Sequence, residues 1–215
     1  MINDCIIVIP AFNEENTIEK VILNSKVYGD VVIINDGSSD NTIKISKKHD
    51  VNIVNHKINQ GYEASIFSGF QFAKNNKYKY VIFIDADGEL PDQTLKKVKR
   101  LLLDGHDIVT GIRDKKNRNL EMIFSFISLL FWRVNDPMCG LKGFNMENIS
   151  NLSNKFTNNT FATEILFKLL KMKYSIIQFP IIVNKRENNS KVGNSIKVQF
   201  IILKAIFLCI WIKFF

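Results

Sequence analysis

Val81-Ile82-Phe83-Ile84-Asp85-Ala86-Asp87-Gly88 runs from four apolar residues straight into two carboxylates. The apolar run reads as a buried strand, and Asp and Gly close it with a turn. Two carboxylates at i, i+2 spacing can meet one hard cation with a small backbone adjustment. Mg²⁺ and Mn²⁺ suit such a site, because they take one or two carboxylates, several waters and phosphate oxygens. An acidic turn with no ligand is the plainer reading of Asp-x-Asp alone, so the surrounding segments have to decide.

Outward from this strand, helical and strand-like segments alternate. Residues 5–9 form a β-rich run ended by Pro10, and residues 14–26 have helical spacing with Ile18, Val21 and Ile22 on one face. Residues 31–34 are a second strand closed by Asn35-Asp36-Gly37, and residues 38–48 begin with Ser/Asp capping chemistry and read as a helix. A third strand at 51–54, a helix at 62–75, a helix at 93–104 and a strand at 107–110 complete the pattern. Such alternation predicts an α/β fold, a mainly parallel sheet with helices on both faces. The carboxyl edge of such a sheet is where open α/β folds bind ligands.

Beyond residue 112 the pattern changes. Residues 113–119 are polar and basic and read as a mobile loop. Residues 120–134 are apolar and helical, 136–144 are turn-rich, 161–172 read as an amphipathic helix and 176–183 as another strand. Residues 196–215 carry only Lys197, Gln199, Lys204 and Lys213 as polar side chains. A bilayer span needs about 20 residues, but each lysine near its centre costs about 2.5–3.5 kcal/mol. An interfacial helix is cheaper, with lysines reaching the headgroups and Trp211 and the Phe side chains in the acyl boundary. The alternative is a helix packed on the sheet or in a homo-oligomer. The expected division is an α/β domain over 1–195 and a membrane-associating segment over 196–215.

Composition narrows the classes. With 46% hydrophobic and 23% charged residues among 215, the chain is neither disordered nor an ordinary polytopic membrane protein. A net charge of +8 fits an anionic partner, although a Lys-rich composition can reflect genome bias alone. Nucleic acid is not expected, because no basic helix with interleaved aromatics is present. Cys5, Cys139 and Cys209 are far apart and odd in number, without metal spacing, which points to a reducing compartment. No secretory leader is expected, since Asp4 interrupts the N-terminus. His49, His56 and His106 show neither metal nor triad spacing and read as surface residues.

The loops after the first two strands are acidic and polar too. Val8 to Glu15 ends in an aromatic, an amide and two carboxylates, and Asp36 to Thr42 is rich in Asp, Ser and Asn. Both belong on the same edge as Asp85 and Asp87, so together they can line a nucleotide pocket. There Asp36 accepts a base N–H, Phe12 packs on base or ribose, and Glu14 takes a ribose hydroxyl. Singly, Glu14 and Glu15 suit a first helical turn and Asp36 a turn.

The order of motifs then carries a resemblance. Pro10-Ala11-Phe12-Asn13-Glu14, Asp36-Gly37-Ser38-x-Asp40-x-Thr42, Asn59-x-Gly61 with Ala64 and Gly69, Asp85-Ala86-Asp87 and Gly111-x-Arg113 resemble the family 2 inverting glycosyltransferases of GT-A fold. Asp136-Pro137-x-Cys139-Gly140-x-Lys142-Gly143-Phe144 and the stretch from Lys185-Arg186 to Ser195 resemble the polyprenyl-phosphate (dolichyl-phosphate) sugar synthase branch. The likeness covers about residues 5–195. It implies a nucleoside site of Pro10, Phe12, Glu14, Asp36 and Gly61. It implies Mg²⁺ or Mn²⁺ on the donor diphosphate at Asp85 and Asp87, with Glu89, where relatives carry Gln, as a third ligand or a rim charge. Arg113 and Arg186 would contact phosphates. Arg118 with Ser125 or Ser128 stands in for the branch's Arg-x-x-x-Ser, and Lys191 joins Arg186 at a lipid phosphate. Cys139 replaces a Ser, and Lys142-Gly143 adds a residue before Phe144.

The implied reaction moves a sugar from a UDP- or GDP-sugar to a polyprenyl phosphate with inversion, at the cytoplasmic face of a membrane. If the acceptor were a glycan hydroxyl, a base would be needed, and Asp136 is the first candidate. Two alternatives remain. A nucleotidyltransferase usually carries a Gly-rich basic loop after the first strand, and residues 10–15 have neither Gly nor Lys. A non-catalytic membrane-bound relative would not need Asp85 and Asp87.

Overall fold

The computed structural model describes residues 4–91, 93–116, 118–149, 160–184 and 196–215. Seven strands form one sheet in the order β3-β2-β1-β4-β6-β5-β7. The strands are β1 (Cys5–Ala11), β2 (Asp30–Asn35), β3 (Asn52–Asn55), β4 (Tyr80–Phe83), β5 (Ile108–Arg113), β6 (Lys142–Asn145) and β7 (Ile176–Ile181). All neighbours are parallel except β6, which runs antiparallel between β4 and β5.

The interior strands are apolar on both faces, as a sheet covered on both sides requires. Ile6 and Val8 of β1 point into one core with Val32 and Ile34 of β2. That core is closed by α3 (Tyr62–Asn75), α5 (Asn119–Trp132), α6 (Met146–Ile149), α7 (Phe161–Lys171) and α8 (Ile196–Phe214). Cys5, Ile7 and Ile9 point into the opposite core, beneath α1 (Ile18–Lys26) and α4 (Thr94–Leu103). Close approach is built in where α3 crosses β1. A Cβ on Gly69 would overlap Val8, at 3.2 Å from its Cβ.

Local boundaries differ from the sequence expectation for identifiable reasons. β1 continues through Pro10 and Ala11 in register with Ile34 and Asn35 of β2. The first helix starts at Ile18 rather than residue 14, because Asn13 has a left-handed backbone (φ 56°) and residues 14–17 form a turn. The second helix, α2 (Thr42–Ser46), is five residues long, since residues 36–41 are tied to the first loop instead. Of the expected loop at 113–119, Arg113 closes β5 and Arg118 precedes α5.

Residues 136–144 contain a strand that was expected only as turns. β6 is Lys-Gly-Phe-Asn, which carries no β-pattern, and its partners in β4 lie far upstream, from Phe83 opposite Lys142 to Tyr80 opposite Asn145. Gly143 is required there, because a Cβ would stand 2.7 Å from Val98 of α4.

α8 is amphipathic in an unusual sense, apolar on both sides. Val198, Ile202, Ala205, Cys209 and Ile212 repeat at heptad spacing and are buried in the core against α5 and α7. Phe200, Phe207, Trp211 and Phe214 face outward, 50–67% exposed. Among the described residues, no helix is long and apolar enough to cross a membrane.

Candidate active site

Two loops on the carboxyl edge are stitched into one unit. Asn13 accepts through Oδ1 from Ser39 N (2.8 Å), and its own N–H donates to Ser38 Oγ (3.0 Å). Glu14 N donates to Thr42 Oγ1 (2.7 Å), and Glu15 N to Asp40 Oδ2 (3.1 Å). Asp40 and Thr42, two motif residues, therefore brace the loop. Pro10 lies in β1 at the start of this loop, Phe12 is 36% exposed at its tip, and Glu14 is buried behind it. Thr17 donates to the carbonyl of Ala86 (2.7 Å), which ties the first loop to the Asp-Ala-Asp turn.

Asp36 is buried at the end of β2 and is heavily used. Its Oδ1 accepts from Gln60 N and its Oδ2 from Gly61 N, each at 2.8 Å. His56 Nδ1 lies 2.8 Å from Oδ1, and His56 Nε2 lies 2.9 Å from Ser68 Oγ. His56 is 9% exposed, which corrects the expectation of a surface histidine. Its position follows from β3, whose end places residue 56 beside Asn35, with His56 N donating to Asn35 O (2.9 Å). The Gly61 backbone (φ 95°) suits only glycine comfortably and opens α3.

The next residue, Tyr62, lies near the other carboxylate, Asp85. The Gly61-Tyr62 junction thus binds Asp36 through the backbone and sets Tyr62 beside Asp85. Burial, and next the negative Asp87, raise the Asp85 pKa to about 6, while Tyr62, Arg113 and Lys142 pull it back. Two neighbouring carboxylates in a partly desolvated setting are the donor set a divalent cation relieves. Gly140 leaves room for the Asp85 carboxylate, since a Cβ there would fall within 2.7 Å of Oδ1 and closer still to Oδ2. Glu89 donates its backbone N–H to Asp87 Oδ1 (3.1 Å). Among the described residues, no three His, Cys, Asp or Glu side chains gather into a metal cage. The fit is to a two-carboxylate site completed by ligand oxygens.

Arg113 is held by a fork. Its Nε and Nη2 donate to Asp136 Oδ2 and Oδ1 at 2.8 and 2.9 Å, and its backbone N–H donates to Oδ2 (3.1 Å). Nη2 also donates to Glu121 (3.1 Å), whose other oxygen accepts from Arg118. Glu121, buried on α5, therefore gathers both arginines, and among the described residues the side-chain bonds of Arg113 run through Nε and Nη2. Asp136 is wholly buried; burial opposes its charge, but the Arg113 fork prevails and holds its pKa below the ordinary carboxylate value. That geometry makes Asp136 an anchor for Arg113 rather than a base facing an acceptor. Ser125 and Ser128 are buried on the Glu121 face of α5, and their hydroxyls have no partner among the described residues. Arg186 and Lys191, with Lys185, lie outside the described residues.

Sequence reasoning missed Tyr62, His56, Glu121 and Lys142 as parts of this site. Lys142 is buried beneath Gly140, and its ammonium donates to the carbonyl of Cys139. Burial pushes its pKa below the ordinary lysine value, against the pull of Asp136, Glu63 and Asp85. Glu63 accepts from Ala162 N (2.7 Å) at the start of α7. The available signal was a lone Lys in an otherwise apolar run after Gly140.

Known proteins match this arrangement. The sequence model described as Glycosyl transferase family 2 matches residues 6–169. A Methanocaldococcus jannaschii protein of uncharacterized function is 30% identical, over 81% of this chain and 78% of its own. The UDP-N-acetylglucosamine–dolichyl-phosphate N-acetylglucosaminyltransferase of Methanococcus voltae is 26% identical, over 90% of this chain and 91% of its own. In three dimensions, glucosyl-3-phosphoglycerate synthase from Mycobacterium tuberculosis superposes with a TM-score of 0.75 at 18% identity. It covers 97% of this chain and 79% of its own, and was solved with Mn²⁺, UDP-glucose and glycerol 3-phosphate. The superposition establishes the GT-A fold. With its carboxylate pair at the carboxyl edge of that fold and the family's sequence signature over most of its length, this chain belongs to glycosyl transferase family 2.

Proposed function

We propose that the chain transfers a sugar from a nucleotide-sugar donor to a polyprenyl phosphate, with inversion at the anomeric carbon. The observation that carries the reading is the placement of Asp36 and of Asp85 with Asp87 at the ends of β2 and β4, either side of β1, on one sheet edge, with Asp36 held by Gly61 N–H. Asp36, Phe12, Pro10, Glu14 and Gly61 take the nucleoside. Asp85 and Asp87, with Glu89 at the rim, hold Mg²⁺ or Mn²⁺, which supplies positive charge against the donor diphosphate. The Nη1 edge of Arg113, with Arg118, faces phosphate oxygens, and Glu121 and Asp136 fix the orientation in advance. Arg186 and Lys191 are the further cations for the acceptor phosphate.

In the reaction, the bond from C1 to the diphosphate oxygen breaks with its electron pair leaving on the nucleotide. An acceptor oxygen forms the new bond from the opposite face. A phosphate oxygen is already anionic and needs no general base. The engagement of Asp136 with Arg113 supports this acceptor over a glycan hydroxyl, since the first candidate base is buried with both oxygens bonded to the guanidinium. The Methanococcus voltae relative, named for transfer to dolichyl phosphate over nearly its whole length, supports the same acceptor class.

The outer faces of α5 and α8 support docking on a lipid surface. Phe126 and Leu130 of α5 and Phe200, Phe207 and Trp211 of α8 are exposed, with Lys204 and Lys213 exposed among them. Aromatic and aliphatic side chains with interspersed lysines suit an anionic headgroup layer. Acceptor and enzyme then meet at one surface, and localisation at the cytoplasmic face follows from a nucleotide-sugar donor.

The test is incubation with labelled UDP- and GDP-sugars and vesicles containing a polyprenyl phosphate. Label entering the lipid extract supports the reading. Transfer to a soluble glycan without lipid product would assign a hydroxyl acceptor instead.

A further inference from the structure

The Asp36 carboxylate has little acceptor capacity left. A carboxylate offers two lone-pair positions on each oxygen. Oδ1 accepts from His56 Nδ1 and from Gln60 N, both at 2.8 Å, and is complete. Oδ2 accepts from Gly61 N at 2.8 Å and keeps one position among the described residues. The ionised carboxylate carries no hydrogen, so the short His56 contact places a proton on Nδ1. Ser68 Oγ, 2.9 Å from Nε2, holds the ring in that orientation.

We propose that this count selects the base of the donor, and that His56 is the residue that sets it. The inference rests on the reading above, in which Asp36 faces the nucleoside. Uracil presents one donor, the N3–H imide, between two carbonyls, and needs one acceptor position. Guanine presents N1–H and N2–H₂ side by side and takes a carboxylate through both oxygens. With Oδ1 filled by His56 and Gln60, the second guanine donor is left unpaired in a desolvated pocket. Cytosine turns an unprotonated N3 toward the same oxygen and is repelled. Asp36 therefore accepts a uracil-type base.

The carboxylate–imidazole–hydroxyl order of Asp36, His56 and Ser68 is also that of a serine hydrolase. Ser68 stands inside α3, where the surrounding backbone N–H groups are engaged in the helix and offer no oxyanion site. The chain of hydrogen bonds is a clamp on Asp36, which makes His56 a positioning residue.

The experiment is calorimetry of the full chain with UDP and with GDP, at fixed Mn²⁺, for three proteins. Wild type should bind UDP about tenfold or more tighter than GDP, the size of one bidentate base contact. His56→Leu fills the space without a donor, frees one Oδ1 position and should narrow that ratio several-fold. His56→Asn should keep the wild-type ratio, because Asn Nδ2 stands as many bonds from Cβ as His Nδ1. A wild type that prefers GDP overturns the inference, and so does a folded Leu variant with an unchanged ratio. The wild-type ratio decides even if a variant fails to fold. Binding of neither nucleotide would instead overturn the donor reading itself, and this inference with it.

Discussion

Gly140 lies flush against Asp85. A Cβ at 140 would come within 2.7 Å of Oδ1 and collide with Oδ2. The residue that permits the Asp85 geometry thus comes from a turn 55 positions downstream, brought there by the antiparallel strand β6. Gly140→Ala is expected to displace the carboxylate without unfolding the sheet. A misplacement of about 1 Å can lower turnover about 100-fold. Steady-state kinetics beside circular dichroism checks it; near-normal turnover would mean that Asp85 is free to shift.

Asp87 sits two residues on, and its charge is the second influence, after burial, on Asp85. Asp87→Ala is expected to reduce turnover by about 100-fold or more, the scale of losing one electrostatic stabiliser. Excess chelator should do the same to the wild type, with Mn²⁺ restoring it. Activity within a few-fold in either case would refute cation-assisted departure of the nucleotide.

Asp36→Asn replaces one acceptor oxygen by an N–H₂ donor facing other donors. The loss of a charge-assisted bond, about 1.5–3 kcal/mol, corresponds to about 10- to 100-fold weaker nucleotide binding. Calorimetry with UDP reads it directly. An unchanged Kd would place the base elsewhere.

The Arg113–Asp136 fork is buried, and removing one partner strands the other. Asp136→Ala is expected to lower unfolding free energy by about 3–5 kcal/mol. Denaturant titration measures it, and a loss below about 1 kcal/mol would count against the fork as a structural anchor. The pH dependence has a definite sign. The folded-state pKa of Asp136 lies below its ordinary value of about 3.9. Its contribution is therefore complete above that value and fades only as pH falls through the lower folded pKa.

Deleting α8 would open the core at Ile202 and Cys209, both 0% exposed, so its outer face is tested by substitution. Phe207→Ser with Trp211→Ser is expected to release the protein from anionic vesicles while leaving the unfolding midpoint unchanged. Lys204→Glu with Lys213→Glu should steepen the loss at low salt, at about 1 kcal/mol per removed cation. Equal co-sedimentation of all forms, or self-association lost with the aromatics, would assign this face to a second copy of the chain.

The sequence by itself determined the alternating α/β order, the strand ends that carry Asp36, Asp85 and Asp87, and the apolar C-terminal segment. Those features are local: buried runs, turn residues and periodicity are written within a few positions of one another. Tertiary structure decided what these residues do. β6 has no strand pattern of its own and exists because β4 and β5 leave a gap that it bridges. His56 became a partner of Asp36, and Asp136 an anchor of Arg113, through contacts spanning 20 and 23 positions. α8 shows both limits at once. Its composition announced an apolar helix, but only packing against α5 and α7 separated the heptad face that closes the core from the aromatic face left outside. Periodicity cannot make that division when both faces are apolar, because burial depends on which neighbours the fold supplies.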